Sequence, residues 1–309
     1  MTELPTPLER APDSLTDFAG RGDLWLKRED VSDLGMFKWR AALPVVRELV
    51  RGGPGAVVTA STGSHGVAVA WACREVGTPA VVFVPPESNP TKLAFLDRLG
   101  ADVRVAGRDL DEAKDAARAW AEAEGLPFFE DGAEPLQYEA YEAVGDEILD
   151  QLPSPPAGVV IPIGNGALAG GVASALGRRA AATLRVGVVA QSMPVMADSY
   201  EAGKPVHAEF GETIADGLAI RVAIPLAVDR LHEALDGLVR VSERALADAL
   251  VACHDAGVEI EPSAAAAVAA VRELPDLRPD GALVLVMTGR NLDRAVLERA
   301  RREPESFPD

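Results

Sequence analysis

The segment GVVIPIGNGALAGG, Gly158 to Gly171, changes periodicity at its glycines. Gly158–Ile163 is a continuous apolar run, the pattern of a strand buried on both faces. Gly164 and Gly166 break that run, and the residues that follow open a helical pattern. Strand, glycine loop and helix in this order form part of a strand–helix–strand unit, whose strands lie parallel. Working outward, the runs Ala56–Ala60, Ala80–Pro85, Asp102–Ala106, Arg185–Ala190 and Ala282–Thr288 read as further strands buried on both faces. Helical patterns occupy Val67–Val76, Thr91–Leu99, Leu110–Glu124, Glu139–Leu152, Glu243–Ala256 and the alanine-rich Ser263–Val271. The alternation predicts an α/β fold of open, mostly parallel twisted sheets with helices on both faces. Ligands in such folds sit where carboxyl ends of strands meet helix N-termini.

The chain has 309 residues, enough for one large or two medium domains. Its 30 Lys plus Arg against 48 Asp plus Glu give a net charge of −18. That balance argues against nucleic-acid or anionic-membrane partners, which need basic surface. No run is long enough to span a bilayer. The start, MTELPTPLERAPDS, has neither a basic nor an apolar signal region, so a cytoplasmic location is expected. The two cysteines, Cys73 and Cys253, lie in helical patterns and read as buried free thiols. His207, His232 and His254 are scattered and suggest no metal site. Asp150–Gly158 is proline-rich and reads as a surface connection, and the final RREPESFPD reads as a frayed tail.

Three loops follow strands. TASTGSHG, Thr59–Gly66, gathers hydroxyls at a helix N-terminus, where backbone N–H groups and the helix dipole suit a carboxylate. Capping by Ser61, Thr62 or Ser64 would account for one hydroxyl, not for four within six residues. In the loop after Ile163, glycines let backbone N–H groups approach a phosphate. Gly164, Gly166 and Ala169 also fit a relaxed dinucleotide fingerprint, but the next strand ends in Gln191 rather than an acidic residue. The third loop, Val286–Asp293, begins with Thr288 at a strand end. One lysine, Lys38, stands between Phe37 and Trp39 in LGMFKWRAA, Leu34–Ala42. Alone it reads as a solvated charge. An amine, a phosphate nest, a carboxylate loop and a strand-end hydroxyl together suit pyridoxal 5'-phosphate.

With these motifs in this order, the chain resembles the fold-type II pyridoxal-phosphate enzymes, the tryptophan synthase β-like group that includes threonine and serine dehydratases, serine racemase, cysteine synthase and threonine synthase. The resemblance runs from LWLKRED, Leu24–Asp30, through Asn89–Gly107, ADGLA at Ala215–Ala219 and GVEIEPSAAAA at Gly257–Ala267 to TGRNLD. It implies two domains, residues 1–33 with 135–309 holding the cofactor and residues 34–134 carrying the lysine and the carboxylate loop. It also implies that Lys38 is the Schiff-base lysine and that Phe37 lines the cofactor. Gly164, Asn165, Gly166, Ala167 and Leu168 would hold the phosphate, and Thr288 would face the pyridine nitrogen. Ser61, Thr62, Gly63, Ser64 and His65 would hold the substrate carboxylate, with Ser64 also near the cofactor ring. Three positions depart from the family's habit: Met36 replaces a small hydroxyl residue, Ser64 an asparagine and Arg290 a glycine.

The activity so implied is β-elimination of a threonine- or serine-like amino acid to a 2-oxo acid and ammonia, with Lys38 taking the Cα proton. His65 resembles dehydratases and racemases, where the synthases tend to have threonine. β-Replacement of the cysteine or threonine synthase kind stays open. So does racemisation, with Thr62 acting on the face opposite Lys38, and so does a catalytically weak ligand-binding protein on the same fold. A homodimer is implied, and feedback inhibition through a C-terminal regulatory domain is not expected.

Overall fold

The computed structural model describes residues 4–309 except 54, 87, 89, 208–210 and 275–280, with 90–92 described by their backbone alone. The chain forms two compact units, Met1–Phe37 with Tyr141–Asp309, and Lys38–Ala140. It starts with strand β1 (Leu8–Arg10), helix α1 (Asp13–Ala19) and strand β2 (Leu24–Arg28). The inner unit follows as α2 (Trp39–Leu49), β3 (Val57–Ala60), α3 (Ser64–Val76), β4 (Ala80–Val84), α4 (Pro90–Arg98), β5 (Asp102–Val105) and α5 (Leu110–Glu124). Helix α6 (Pro135–Gln151) continues into β6 (Gly158–Pro162), α7 (Ala167–Arg179), β7 (Leu184–Ala190), α8 (Val195–Ala202), α9 (Pro225–Ala234) and β8 (Gly237–Val241). The outer unit ends with α10 (Glu243–Asp255), α11 (Pro262–Arg272), β9 (Leu283–Met287) and α12 (Arg294–Arg302).

In the outer unit six strands lie in the order β1-β2-β9-β6-β7-β8, all parallel except the edge strand β1. Every residue of β6 and β9 is buried, as their unbroken apolar runs predict. Helix α11 packs on this sheet through an alanine surface, with Ala264–Ala267 fully buried. Side chains that small let the helix axis approach the strands closely. At Gly145 of α6 an added Cβ would lie 2.7 Å from the carbonyl oxygen of Val172 in α7, so only glycine permits that approach.

The inner unit has three parallel strands, β3-β4-β5, and a bridge from Val58 to Phe128 extends the sheet beyond β3. Here β5 departs from the expectation of a strand buried on both faces. It is an edge strand with exposed ends, and Val105 is 64% exposed. Its alternating polar residues pair with each other, Arg104 Nε donating to Asp102 at 3.0 Å. The C-terminal stretch is also not frayed. Phe307 is buried against Ala247 and Ala300, and the Arg244 N–H donates to the Pro308 carbonyl at 3.0 Å. Both cysteines are free and buried, and burial pushes their thiols up to about 12. No helix among the described residues is long and apolar enough to cross a membrane.

Candidate active site

In the outer unit β6 and β9 are neighbouring parallel strands, paired Val160 to Leu285. The loop after β6 and Thr288 after β9 therefore emerge side by side at the carboxyl edge of the sheet. Gly166 has φ +96°, a conformation glycine adopts without steric cost, and stands immediately before α7. Asn165 Oδ1 accepts the Ala167 N–H at 3.0 Å. The Asn165 Nδ2 atom is buried with no hydrogen-bond partner among the described residues. A Cβ at Gly164 would collide with the carbonyl oxygen of Gly217. An orphaned donor, glycine backbone and the start of a 13-residue helix together fit an anionic phosphate. The residues present thus fit pyridoxal phosphate.

The segment before Lys38 is stitched along the exit of β9. The Asp30 N–H donates to Met287 O at 3.0 Å, and the Phe37 N–H to Thr288 O at 3.1 Å. Met36 pairs with Gly289 in an isolated antiparallel bridge. Its side chain is buried, while its N–H and carbonyl are both satisfied by the Ser32 hydroxyl at 3.0 and 2.9 Å. The Phe37 ring meets Tyr141, with centroids 5.2 Å apart. Arg290 is exposed, and its Nη2 donates back to Ser32 O at 3.4 Å.

In the inner unit Lys38 stands at the N-terminus of α2, and its Nζ donates to Asp131 Oδ2 at 2.5 Å. Asp131 Oδ1 accepts from Gln137 Nε2 at 3.0 Å and lies 3.5 Å from His65 Nδ1. Burial pushes the Asp131 carboxyl up, but Lys38, His65 and Gln137 together outweigh it and hold the carboxyl well below the usual range. His65 Nε2 faces the Phe129 carbonyl at 3.3 Å. Burial holds the imidazole below its ordinary value, and Lys38 and Lys114 add to that, while Asp131 and the Phe129 carbonyl act in the opposite direction.

The carboxylate loop follows β3. Its hydroxyls are not caps: the residue before α3 is Gly63, and no side chain caps the helix there. Ser61 Oγ instead accepts the Gly63 N–H at 3.1 Å, closing a tight turn. Thr59 Oγ1 donates to Phe129 O at 2.8 Å. Of the loop residues, His65 joins the Asp131 cluster, whereas Thr62 and Ser64 form no hydrogen bond with it. Sequence reasoning missed Asp131 and Gln137. The signal was FFED, Phe128 to Asp131, a short apolar pair ending in carboxylates. Backbone bonds from Val58 N–H to Pro127 O (3.0 Å) and from Phe129 N–H to Val58 O (2.8 Å) add this stretch to the sheet, so Asp131 leaves it beside the carboxylate loop.

Residues 1–289 match the model of the family described as "Pyridoxal-phosphate dependent enzyme". The chain is 31% identical over 284 residues to an L-threonine ammonia-lyase of Thermotoga maritima, covering 90% of this chain and 69% of that protein. The processed form of threonine deaminase isoform 2 from Solanum lycopersicum superposes with a TM-score of 0.89 at 30% identity, covering 96% of this chain and 82% of that one. A threonine deaminase from T.th. gives a TM-score of 0.84 at 30% identity over 92% of both chains. A match of that extent, on a sheet edge whose glycine loop fits a phosphate, makes this chain a member of the family of pyridoxal-phosphate dependent enzymes.

Proposed function

We propose that this enzyme is a pyridoxal-phosphate-dependent ammonia-lyase that converts L-threonine, and L-serine as a second substrate, to the 2-oxo acid and ammonia. The observation that carries the reaction class is the 31% identity to an L-threonine ammonia-lyase across 90% of the chain. The proposal includes a homodimer working in the cytoplasm.

Pyridoxal phosphate, when bound, supplies an electron-withdrawing ring that acidifies the substrate's Cα–H. The chain supplies the rest. Gly164, Asn165, Gly166, Ala167 and Leu168 would hold the phosphate, with the Asn165 Nδ2 donor finding there the acceptor it lacks among the described residues. Phe37 would line one face of the ring, and the Thr288 hydroxyl would meet its nitrogen without adding a charge. In this reading the outer unit carries the phosphate loop and Thr288, and the inner unit carries Lys38 and the carboxylate loop. Ser61 to His65 would hold the substrate carboxylate, with backbone N–H groups at the start of α3 adding partial positive charge. Lys38 Nζ would take the Cα proton. The Cα–H and Cβ–O bonds break, the hydroxyl leaves as water, and the released enamine hydrolyses to 2-oxo acid and ammonia. The Thr62 hydroxyl would serve as the second proton carrier, and Ser64 would face the ring hydroxyl.

The purified protein supplied with pyridoxal phosphate should be yellow and should form 2-oxo acid from L-threonine. Lys38→Ala should lose the colour and lower turnover at least about a hundredfold, the usual scale for removing a positioned base. A colourless wild-type protein, or product formed only when a thiol co-substrate is added, would overturn the proposal.

A further inference from the structure

Asp131 touches two groups that both compete for a single negative charge. Lys38 Nζ takes one carboxylate oxygen at 2.5 Å, and His65 Nδ1 faces the other at 3.5 Å. Both ring nitrogens of His65 look at acceptors, Nδ1 at the carboxylate and Nε2 at the Phe129 carbonyl. A neutral imidazole can donate from only one nitrogen, so it leaves a lone pair facing an acceptor, whereas an imidazolium satisfies both contacts. What keeps the ring neutral is burial together with the charge of Lys38. Among the described residues the cluster also meets Gln137, which donates to Asp131 Oδ1, and Lys114, whose charge also disfavours a second cation.

We propose that Asp131 is a positioning residue that serves Lys38 and His65 as a shared counter-ion, so that His65 takes up a proton at Nδ1 whenever Lys38 gives up its ammonium charge. The inference rests on the reading of Lys38 as the base, because a base must first shed its proton. Proton and charge both balance: Lys38 releases one proton to solvent, His65 takes one up, and Asp131 stays ionised throughout. A half-buried carboxylate thereby keeps one cation beside it at each stage, which avoids leaving it unpaired in a partly desolvated site. Nothing in the reaction class itself requires this coupling.

The test follows the ring nitrogens of His65 by NMR across pH, in the full-length chain labelled with ¹⁵N-histidine and freed of pyridoxal phosphate, the state in which the Lys38 ammonium rests on Asp131. His65→Gln assigns the signal among the four histidines. Lys38→Met should raise the His65 midpoint by about one pH unit or more, the usual effect of an opposite charge freed within a few ångströms. Adding Asp131→Asn to Lys38→Met should remove that rise. An unchanged midpoint in Lys38→Met, or a rise that survives Asp131→Asn, would overturn the proposal. If the double variant does not fold, the Lys38→Met midpoint alone decides. The readout needs neither colour nor turnover, so a failure of the cofactor assignment would appear separately, as a colourless wild-type protein.

Discussion

His65 is buried beside a carboxylate and a carbonyl, and burial is the largest influence on its titration. Its folded-state value lies below the ordinary 6.5, so the folded chain refuses a proton that the unfolded chain accepts. Its contribution to stability is therefore full above 6.5 and declines as pH falls from 6.5 towards the folded value. Urea unfolding at about pH 7.5 and about pH 5 should show a smaller acid loss for His65→Gln than for the wild type. An equal loss in both would place the acid sensitivity elsewhere. The sequence showed His65 as a loop residue with a hydroxyl-rich neighbourhood. It did not show the partner, because Asp131 lies 66 positions further along and arrives through backbone pairing of Phe129 with Val58. Lys27 teaches the same lesson. In the middle of a strand it is fully buried, its Nζ donating to Thr6 O, Glu147 and Gln151 at 2.7, 2.5 and 2.9 Å. Nothing local to LWLKRED announces those acceptors.

Among elements, the loop between β6 and α7 depends on backbone that has no room for a side chain. Gly164→Ala would drive a methyl into the Gly217 carbonyl and displace the N–H groups that start α7. The pyridoxal phosphate needed for half-saturation, read by absorbance, should rise at least about tenfold, equivalent to about 1.4 kcal/mol. The end of the chain gives a second prediction. Phe307 is 4% exposed, packs on Ala247 and Ala300, and carries the Arg299 guanidinium 4.3 Å above its ring. Phe307→Ala should destabilise the protein by about 3 kcal/mol, seen as a fall of several degrees in Tm with little change in substrate KM. An unchanged Tm would return this segment to the frayed tail its composition suggested. Strand β5 was mistaken for a fully buried strand for a related reason. The run Asp102–Ala106 has the strand period, but its position at the sheet edge is fixed by the pairing of β4 with both neighbours.

For the molecule as a whole, the net charge of −18 is a solution property with direct consequences. The protein should be least soluble near its isoelectric point of about 4.7, where self-repulsion vanishes. It should not shift duplex DNA in a gel at physiological salt, since no excess of cations is present to release phosphate counterions. A stable DNA complex under those conditions would contradict the charge argument. The phosphate of the cofactor is a different case. It is met by a local cluster of N–H donors, which net charge does not report.

The sequence by itself determined the strand–helix alternation, the glycine loop after Ile163, the hydroxyl loop after Ala60 and the aromatic setting of Lys38. These are local signals: periodicity, φ preference and the short-range chemistry of turns are written in consecutive residues. Only the tertiary structure decided that β9 inserts between β2 and β6, which sets Thr288 beside the glycine loop, and that Asp131 stands between Lys38 and His65. Those relations depend on strand order and on pairings across dozens of residues, and hydrophobic patterns specify which face is buried without naming the neighbour that buries it.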